Sequence, residues 1–312
     1  MSADSLAGRV ALVTGGARGV GAAIARDLAA RGVKLVIADN GTGIDGHGAD
    51  PEPAKAIAAE LDALAVAESV ASPQAAAAAV ARATERFGGL DIIVNNAAIL
   101  RDAFLFKGDA GDWQAVLRNN LSAAYYVLLA ATPVLRAQAK AGRGGADGGW
   151  GRIVNIVSTA GLYGNYGQAP YASAKAGLVG LTRVAALDMA RSEVTSNAVA
   201  PFAHTRVTEI IQPANEAQAT YKERALQVPA DAVARFVAYL CTPAAAKVSG
   251  QIFGVRGREV FLFSQPRPSA RILAPAAGWT PESLAVAVES GLAEAFAPLE
   301  TDLEAFNTEP FV

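Results

Sequence analysis

The chain contains little cysteine and little histidine. Among its 312 residues, Cys241 is the single cysteine, and His47 and His204 are the two histidines. One cysteine excludes an internal disulfide and is typical of a reducing compartment. Cys241 follows an apolar run and is interpreted as a small buried residue. Because both histidines lie in expected loops without other ligands clustered around them, we predict no metal site.

The chain also lacks a strong charge of either sign and a long apolar run. Its formal net charge is -2 and its pI is about 5.8, which excludes the basic surface typical of nucleic-acid-binding proteins. Its apolar stretches are broken well before the roughly 20 residues that a membrane-spanning helix needs. Residues 1–9 show no basic segment followed by an apolar core, as a secretory signal would. We therefore expect a soluble cytoplasmic protein.

Apolar residues are abundant, at 52% of the chain, and they are arranged in short runs that alternate with helical patterns. Near-continuous apolar strands separated by helices indicate an α/β protein with a parallel sheet covered on both faces. The predicted strands are residues 9–14, 34–38, 63–66, 91–95, 152–157, 195–199 and 251–255. The predicted helices are a helix ending at residue 30, then 54–62, 74–87, 112–140, 171–191 and 231–240.

Three segments depart from this alternation. Two glycine-rich segments, 41–48 and 142–149, are expected to be flexible surface loops. Beyond residue 257 the composition changes, with a proline-rich stretch at 261–269 and a further helical pattern within 279–296. We predict a main domain over 1–257 and a C-terminal extension over 258–312 packed on the same domain.

Tyr171 and Lys175 are four residues apart on a predicted helix, so their side chains lie on one face. A tyrosine normally has a pKa near 10. A positive charge at about 4 Å, with an effective dielectric of about 20, favours the phenolate by roughly 4 kcal/mol, or about 3 pKa units. Such a tyrosine can exchange a proton with an alcohol or a ketone. The same spacing arises by chance in about one such chain in six, so the pair alone does not decide the function.

A glycine-rich turn over residues 14–21 follows the first predicted strand and opens a helix. Gly15, Gly19 and Gly21 permit a tight turn and a close approach of the backbone to a pyrophosphate at the helix N-terminus. Val20 belongs to the same turn and is included among the predicted cofactor contacts. The turn indicates a dinucleotide-binding site.

Asp39 ends the second predicted strand, about 20 residues beyond the glycine turn, where a carboxylate is expected to bind the ribose hydroxyls. This carboxylate would repel a 2′-phosphate and therefore favours NAD over NADP. Arg18 favours NADP instead, because a basic residue in the turn could pair with that phosphate. We give Asp39 more weight, since Asn40 supplies no positive charge beside it, and predict NAD as the cofactor.

The glycine turn, the sequence Asn95-Asn-Ala-Ala98, Ser158, Tyr171 and Lys175 occur in an order that resembles the short-chain dehydrogenase/reductase family over residues 8–255. The resemblance implies a single doubly wound Rossmann domain with a mostly parallel seven-stranded sheet. It also implies an oxidoreductase that acts on a small-molecule substrate. Family members form homodimers or homotetramers, so we expect an oligomer.

The resemblance assigns four catalytic residues. Tyr171 takes the hydroxyl proton of the substrate, and Lys175 lowers the pKa of the tyrosine and binds the nicotinamide ribose. Ser158, at the C-terminal end of a predicted strand, binds the substrate oxygen. Asn120 orders a water that links Lys175 to solvent, although Asn119 is adjacent and a helix-interior polar role remains the alternative.

Further cofactor contacts follow from the same resemblance. Tyr171 and Lys175 contact the cofactor as well as the substrate, and the remaining contacts are Ser69 and Val70 at the adenine, Asn96, Ala97 and Ala98 at the adenosine, and Pro201 at the nicotinamide. Two residues depart from the family pattern. Ala98 and Phe202 both stand where glycine is usual, and Phe202 leaves the shape of the substrate wall open.

Three segments, 95–102, 161–168 and 200–208, resemble the dehydrogenase domain of peroxisomal multifunctional enzymes and its bacterial stand-alone relatives. This resemblance implies a (3R)-hydroxyacyl-CoA or a steroid side-chain thioester as the substrate. A hydroxysteroid or other bulky-alcohol dehydrogenase is the alternative enzyme. A dinucleotide-binding module without turnover is the alternative outside enzymes.

Overall fold

A computed structural model describes residues 6–144, 150–209, 212–213 and 215–312. The chain divides into two compact units. The larger unit consists of two segments, the chain up to Phe263 and Thr301–Val312. The smaller unit is Ser264–Glu300. The larger unit contains the sheet and the candidate site. The smaller unit contains the α-helix α11 (Pro281–Gly291) and a 3₁₀ turn at Ala293–Ala295.

The larger unit is built on one eight-stranded sheet. Its strands are β1 (Val10–Thr14), β2 (Lys34–Ala38), β3 (Leu64–Val66), β4 (Ile92–Asn95), β5 (Gly151–Ile156), β6 (Val194–Phe202), β7 (Ile252–Arg256) and β8 (Glu259–Leu262). They lie in the order β3-β2-β1-β4-β5-β6-β7-β8, and β1 to β7 are parallel. The strand order reverses between β1 and β4, as in doubly wound folds, which bind ligands beside this point. The predicted fold class is confirmed.

The larger unit also contains helices, several of which pack on the two faces of the sheet. They are α1 (Gly19–Ala30), α2 (Glu52–Glu60), α3 (Pro73–Phe87), α4 (Ala110–Leu117), α5 (Ala123–Lys140), α6 (Ala160–Tyr163), α7 (Ala169–Met189), α8 (Arg206–Glu209), α9 (Glu216–Ala225), α10 (Asp231–Cys241) and α12 (Asp302–Ala305). Successive side chains of a strand point to opposite faces. Accordingly Val13 belongs to the same core cluster as Ile24 of α1, and Leu12 belongs to the other cluster, with Val127 of α5.

Two predictions about these elements need correction. The sheet has eight strands rather than seven, because the chain turns at Gly257, with φ +55°, and β8 pairs antiparallel with β7. The single helix predicted over 112–140 is two helices, α4 and α5, joined by a π-helical turn at Arg118–Ser122. Most of the predicted glycine-rich loop 142–149 lies outside the described residues.

The described residues contain neither a membrane-spanning helix nor a cluster of metal ligands. No helix there is both long enough and apolar enough to cross a membrane. The same residues contain no group of three or more histidine, cysteine, aspartate or glutamate side chains placed to hold a metal ion.

Candidate active site

A cavity of about 640 Å³ is formed by the loops that follow the strands. The loops after β1, β2, β3, β4, β5 and β6 all contribute to its wall, together with α7, α9 and the start of α12. The predicted site residues that line it are Gly15, Arg18, Gly19, Val20, Asp39, Ser69, Val70, Asn96, Ala97, Ala98, Ser158, Tyr171, Lys175 and Pro201. The structure therefore brings every predicted cofactor residue except Gly21, and three of the predicted catalytic residues, to the wall of one cavity.

The glycine turn between β1 and α1 leaves no room for side chains at two of its glycines. A Cβ at Gly15, where φ is +61°, would lie 2.8 Å from the Cα of Ala97. A Cβ at Gly21 would collide with the carbonyl oxygen of Gly15 and lie 2.5 Å from the side-chain nitrogen Nδ2 of Asn96. Gly19 begins α1, so the first free N–H groups of that helix border the cavity. The turn is a backbone cradle that fits a pyrophosphate.

Asn96 holds this turn in place. Its Nδ2 donates to the carbonyl oxygens of Thr14 at 3.1 Å and of Gly15 at 2.8 Å. In return, Oγ1 of Thr14 accepts from the backbone N–H groups of Asn96 at 3.0 Å and Ala97 at 3.1 Å. These bonds tie the end of β4 to the end of β1, and they give Asn96 a positioning role in addition to its place in the wall.

Asp39 and Arg18 lie side by side in the wall. Oδ2 of Asp39 accepts from the N–H of Ala17 at 3.0 Å, and Oδ1 accepts from the N–H of Gly41 at 2.8 Å. Arg18 approaches Oδ1 to 3.9 Å and donates to the carbonyl oxygen of Thr42 at 2.9 Å. Arg18, which the sequence analysis treated as an argument for NADP and against Asp39, therefore forms an ion pair with Asp39.

The loop after β2 and the loop after β3 form the part of the cavity wall that holds Ser69 and Val70. Ile44 of the first loop lines the cavity too, and its carbonyl oxygen accepts from the N–H of Leu100 at 2.7 Å. Nε of Arg101 donates to the carbonyl oxygen of Asp45 at 2.7 Å. Residues 41–48, expected to be a flexible surface loop, are thus fixed by the loop after β4 and form part of the site.

Ser158, Tyr171 and Lys175 meet at the other part of the cavity. Ser158 follows β5 and lines the cavity together with Tyr171. Tyr171 and Lys175 lie one turn apart on α7 and are 8% and 2% exposed. Nζ of Lys175 lies 5.6 Å from the centre of the tyrosine ring and donates to the carbonyl oxygen of Ile156 at 2.7 Å. The phenol, the ammonium and a hydroxyl therefore converge as predicted from their spacing.

Burial has the largest effect on the proton affinities of this group. It raises the pKa of Tyr171, whereas the nearby Ser158 side chain lowers it. The charges of Asp302 and Asp102 raise the pKa of Tyr171 further. Burial lowers the pKa of Lys175 to about 8. The expected lowering of the tyrosine pKa is therefore outweighed in this structure, because the phenolate and the ammonium both lose hydration.

Asn120 lies behind the wall, in the π-helical turn, and is 1% exposed. Its Oδ1 accepts from the N–H of Ile99 at 2.8 Å, and its Nδ2 donates to the carbonyl oxygen of Ile99 at 2.9 Å. Its side chain thus ties the π-helical turn to the loop after β4. Because the side chain is engaged in this way, a water bound by Asn120 would have to use its backbone carbonyl. The water-relay role stays a prediction.

Sequence reasoning missed Asp302, which comes from the C-terminal segment and lines the cavity. Its Oδ2 accepts from Oγ1 of Thr159 at 2.8 Å, one residue beyond Ser158. The sequence did contain a signal for a helix start, because Thr301 and Glu304 have the spacing of a capping box. Nothing in that signal indicates where the short helix packs.

Comparison with known proteins identifies the family. Residues 9–219 match the family model of short chain dehydrogenases. A hydroxyacyl-CoA dehydrogenase, ChsB1, from Mycobacterium tuberculosis is 38% identical over 281 residues, which cover 89% of this chain and 87% of that protein. A 3-oxoacyl-(acyl-carrier-protein) reductase from Synechocystis is 38% identical over 260 residues, covering 82% of this chain and 98% of that protein.

Two further likenesses agree with this result. A peroxisomal hydratase-dehydrogenase-epimerase from Saccharomyces cerevisiae is 32% identical over 88% of this chain, which corresponds to 29% of that larger protein. The crystal structure of a short chain dehydrogenase from Mycobacterium avium superposes with a TM-score of 0.80 at 33% identity, covering 95% of this chain and 98% of that one. The resemblance stated from the motifs is confirmed, and the chain belongs to the short-chain dehydrogenase/reductase family.

Proposed function

We propose that the protein is an NAD-dependent dehydrogenase that oxidises the secondary hydroxyl of a (3R)-hydroxyacyl-CoA, including thioesters of steroid side chains. The observation that carries the proposal is the meeting of Ser158, Tyr171 and Lys175 in the same 640 Å³ cavity as the glycine turn. The likeness to a hydroxyacyl-CoA dehydrogenase along 89% of the chain supports the substrate class.

The chain's own groups would handle the proton of the substrate. Ser158 would donate a hydrogen bond to the substrate oxygen, and Tyr171 would take the hydroxyl proton on its phenolic oxygen. A bound oxidised nicotinamide supplies the hydride acceptor and a positive charge. Since burial raises the pKa of Tyr171, the phenol needs positive charge nearby to act as a base, and Lys175 is held within reach by Ile156.

The preference for NAD over NADP rests on Asp39. Its carboxylate is fixed in the wall by two backbone N–H groups, at 3.0 and 2.8 Å, where it would repel a 2′-phosphate. Asp39→Ala should therefore raise the NADP to NAD ratio of kcat/KM by at least about tenfold, equivalent to about 1.4 kcal/mol. Asp50→Asn, an exposed carboxyl in the same loop region, is the matched control. An unmoved ratio in Asp39→Ala would assign the preference to Arg18 or another group.

A second candidate is the reverse chemistry, the reduction of a 3-oxoacyl thioester. It is favoured by one observation, the 38% identity to a 3-oxoacyl-(acyl-carrier-protein) reductase. The same three residues would serve, with Tyr171 as the proton donor. The raised pKa of Tyr171 suits this direction, because the phenol keeps its proton until the substrate needs it.

A substrate panel separates these functions. It contains (3R)- and (3S)-hydroxyacyl-CoA, the matching free acid, a short secondary alcohol, a hydroxysteroid and a 3-oxoacyl thioester, each with NAD or NADP in the appropriate redox state. We expect the (3R)-thioester with NAD to give the highest kcat/KM, and truncated substrates to lose kcat as well as affinity. Equal kcat/KM for thioester, acid and alcohol would contradict the assignment, and a preference for the hydroxysteroid would replace it. Reduction of the 3-oxoacyl thioester with NADPH alone would establish the second candidate.

A further inference from the structure

The C-terminal segment Thr301–Val312 is anchored to the same unit as the sheet. Arg256, which is 5% exposed, donates to the carbonyl oxygens of Phe306 at 3.0 Å and of Thr308 at 3.1 Å. Arg224 binds the carboxylate of Glu309 at 2.9 Å. The segment is therefore a fixed part of the cavity wall.

An aromatic cluster holds the segment against the end of β6. The ring of Phe306 lies 4.7 Å from Phe202, 5.5 Å from Phe261 and 5.6 Å from Tyr163, measured between ring centres. Phe202 is the residue that stands where the family usually has glycine. The structure explains this departure, because the Phe202 ring forms the surface on which Phe306 packs.

Asp302, at the start of α12, is placed in the cavity by this anchoring. The residue is 5% exposed, and one carboxyl oxygen, Oδ2, accepts from Thr159. The other oxygen, Oδ1, is buried and has no hydrogen-bond partner in the part of the chain that the structure describes. A buried carboxyl with one unsatisfied oxygen is costly for the fold. Because Asp302 also lines the cavity, its negative charge can act on a ligand there through space.

The charge of Asp302 reaches the reacting phenol. It raises the pKa of Tyr171 and also that of Tyr221, on α9 in the same wall. Asp102, whose carboxylate accepts from Nε2 of Gln168 at 2.8 Å, likewise raises the pKa of Tyr171. The cavity that Tyr171 lines is thus lined by two carboxyl groups as well.

We propose that Asp302 is a specificity-determining residue that keeps free carboxylic acids away from Tyr171 and admits neutral acyl groups such as thioesters. The proposal rests on the proposed function and deepens it. In a 3-hydroxy acid the carboxylate lies two bonds from the reacting carbon, so a productive pose places it in the cavity that Asp302 and Tyr171 both line. At about 6 Å and an effective dielectric of about 20, like charges repel by an amount equivalent to about 100-fold in affinity. A thioester is neutral at that position.

Binding of matched ligands tests this role. The ligands are (R)-3-hydroxydecanoate and its methyl ester, titrated by calorimetry at pH 8 into the complex with NADH, which cannot accept a hydride from either ligand. Wild type should prefer the ester, and Asp302→Asn should bind the acid at least about tenfold more tightly while binding of the ester stays within about threefold. Asn keeps an oxygen for the Thr159 hydroxyl, and Asp302→Glu keeps the charge and should keep the discrimination.

Glu304→Gln is the matched control, because it removes one exposed charge from the same short helix and retains a residue that suits the capping box. Thermal melts of each variant verify folding. The proposal is overturned if the acid-to-ester ratio is unchanged in Asp302→Asn, if both ligands shift together, or if Glu304→Gln gives the same change. Failure of wild type to bind either ligand overturns it as well. Because binding is measured without turnover, a protein that discriminates as expected but does not oxidise hydroxyacyl thioesters would contradict only the proposed function.

Discussion

At the scale of single residues, the cavity gathers groups whose burial opposes their charge. Burial raises the pKa of Tyr171, lowers that of Lys175 to about 8 and raises that of Asp302 to about 6. Perturbed proton affinities of this kind are concentrated at functional sites. The three groups line one cavity. A positive charge brought there by a ligand would therefore lower the pKa of both Tyr171 and Asp302.

Tyr171→Phe should lower kcat by about 10²- to 10⁴-fold, because it removes the phenolic oxygen that we propose as the proton acceptor and little else. Affinity for NAD, measured by calorimetry, should stay within about threefold, since the ring still fills its place. Tyr239→Phe, at a half-exposed position on α10, is the control and should leave both values unchanged. Retention of more than about a tenth of kcat in Tyr171→Phe would exclude this residue as the general base.

Asp302→Asn should stabilise the fold at pH 8. The carboxyl has a pKa of about 6 when folded against 3.8 ordinarily, so the folded state binds its proton more tightly. The tighter binding of this proton stabilises the folded state fully below pH 3.8, the ordinary pKa of the unfolded chain. This stabilisation is lost as the pH rises through about 6, the pKa in the folded state. Above this range the charged carboxylate costs about 3 kcal/mol, which corresponds to a melting temperature lower by several degrees.

Thermal melts at pH 4 and pH 8 measure this effect. The gain for Asp302→Asn should be present at pH 8 and nearly absent at pH 4. Glu304→Gln should give no gain at pH 8, because hydrogen bonds from Thr301 lower the pKa of Glu304 and so favour its charged form. Equal melting temperatures of wild type and Asp302→Asn at pH 8 would contradict a raised pKa at Asp302.

At the scale of elements, the turn between β1 and α1 depends on close backbone contacts. Gly15 and Gly21 are packed against each other and against Asn96, which fastens the turn to β4. The helix behind the turn carries its own apolar face into the core through Ile24 and Leu28. In the turn and helix α1, the residues that would bind the cofactor therefore differ from the residues that pack in the core.

Gly21→Ala should abolish measurable NAD binding, because its Cβ would collide with the carbonyl oxygen of Gly15 and force the turn open. Ala30→Gly, at the exposed end of the same helix, is the control, and it should lower stability by up to about 1 kcal/mol without changing the Kd for NAD. Calorimetry and thermal melts on both variants separate the two effects. Wild-type affinity in Gly21→Ala would show that the cradle does not hold the cofactor.

At the scale of the whole molecule, two helices present large apolar side chains to solvent. Tyr125 and Leu129 on α5 are 48% and 52% exposed, and Val184 and Leu187 on α7 are 53% and 77% exposed. Each pair lies on one face of its helix, at i,i+4 and i,i+3 spacing. These faces support the prediction of a homodimer or homotetramer.

Light scattering should give the mass of a dimer or tetramer for wild type at micromolar concentration. Leu187→Glu should shift the mass towards the monomer, because it places a charge in an apolar contact surface. Ala81→Glu, at an exposed position on α3, adds the same charge and should leave the mass unchanged. A monomeric wild type would contradict the prediction of an oligomer.

Much of the fold and of the site could be read from local sequence. The alternation of apolar strands and helices predicted the parallel sheet, and β2 begins and ends at the predicted residues, Lys34 and Ala38. Tyr171 and Lys175 converge because both lie on one helix, so their spacing alone brings them together. The eighth strand was missed because its four residues have no helix before them and depend on the turn at Gly257.

The sequence by itself determined the strand order class, the glycine turn and the Ser158, Tyr171 and Lys175 group, because each follows from neighbours along the chain or from the ends of parallel strands. Only the tertiary structure decided that Arg18 pairs with Asp39 and that Asn120 binds Ile99. It also decided that Asp302, 143 residues from Thr159, enters the cavity. These outcomes depend on long-range packing and on burial, which are collective properties of the folded chain, and burial also sets the direction of the Tyr171 pKa.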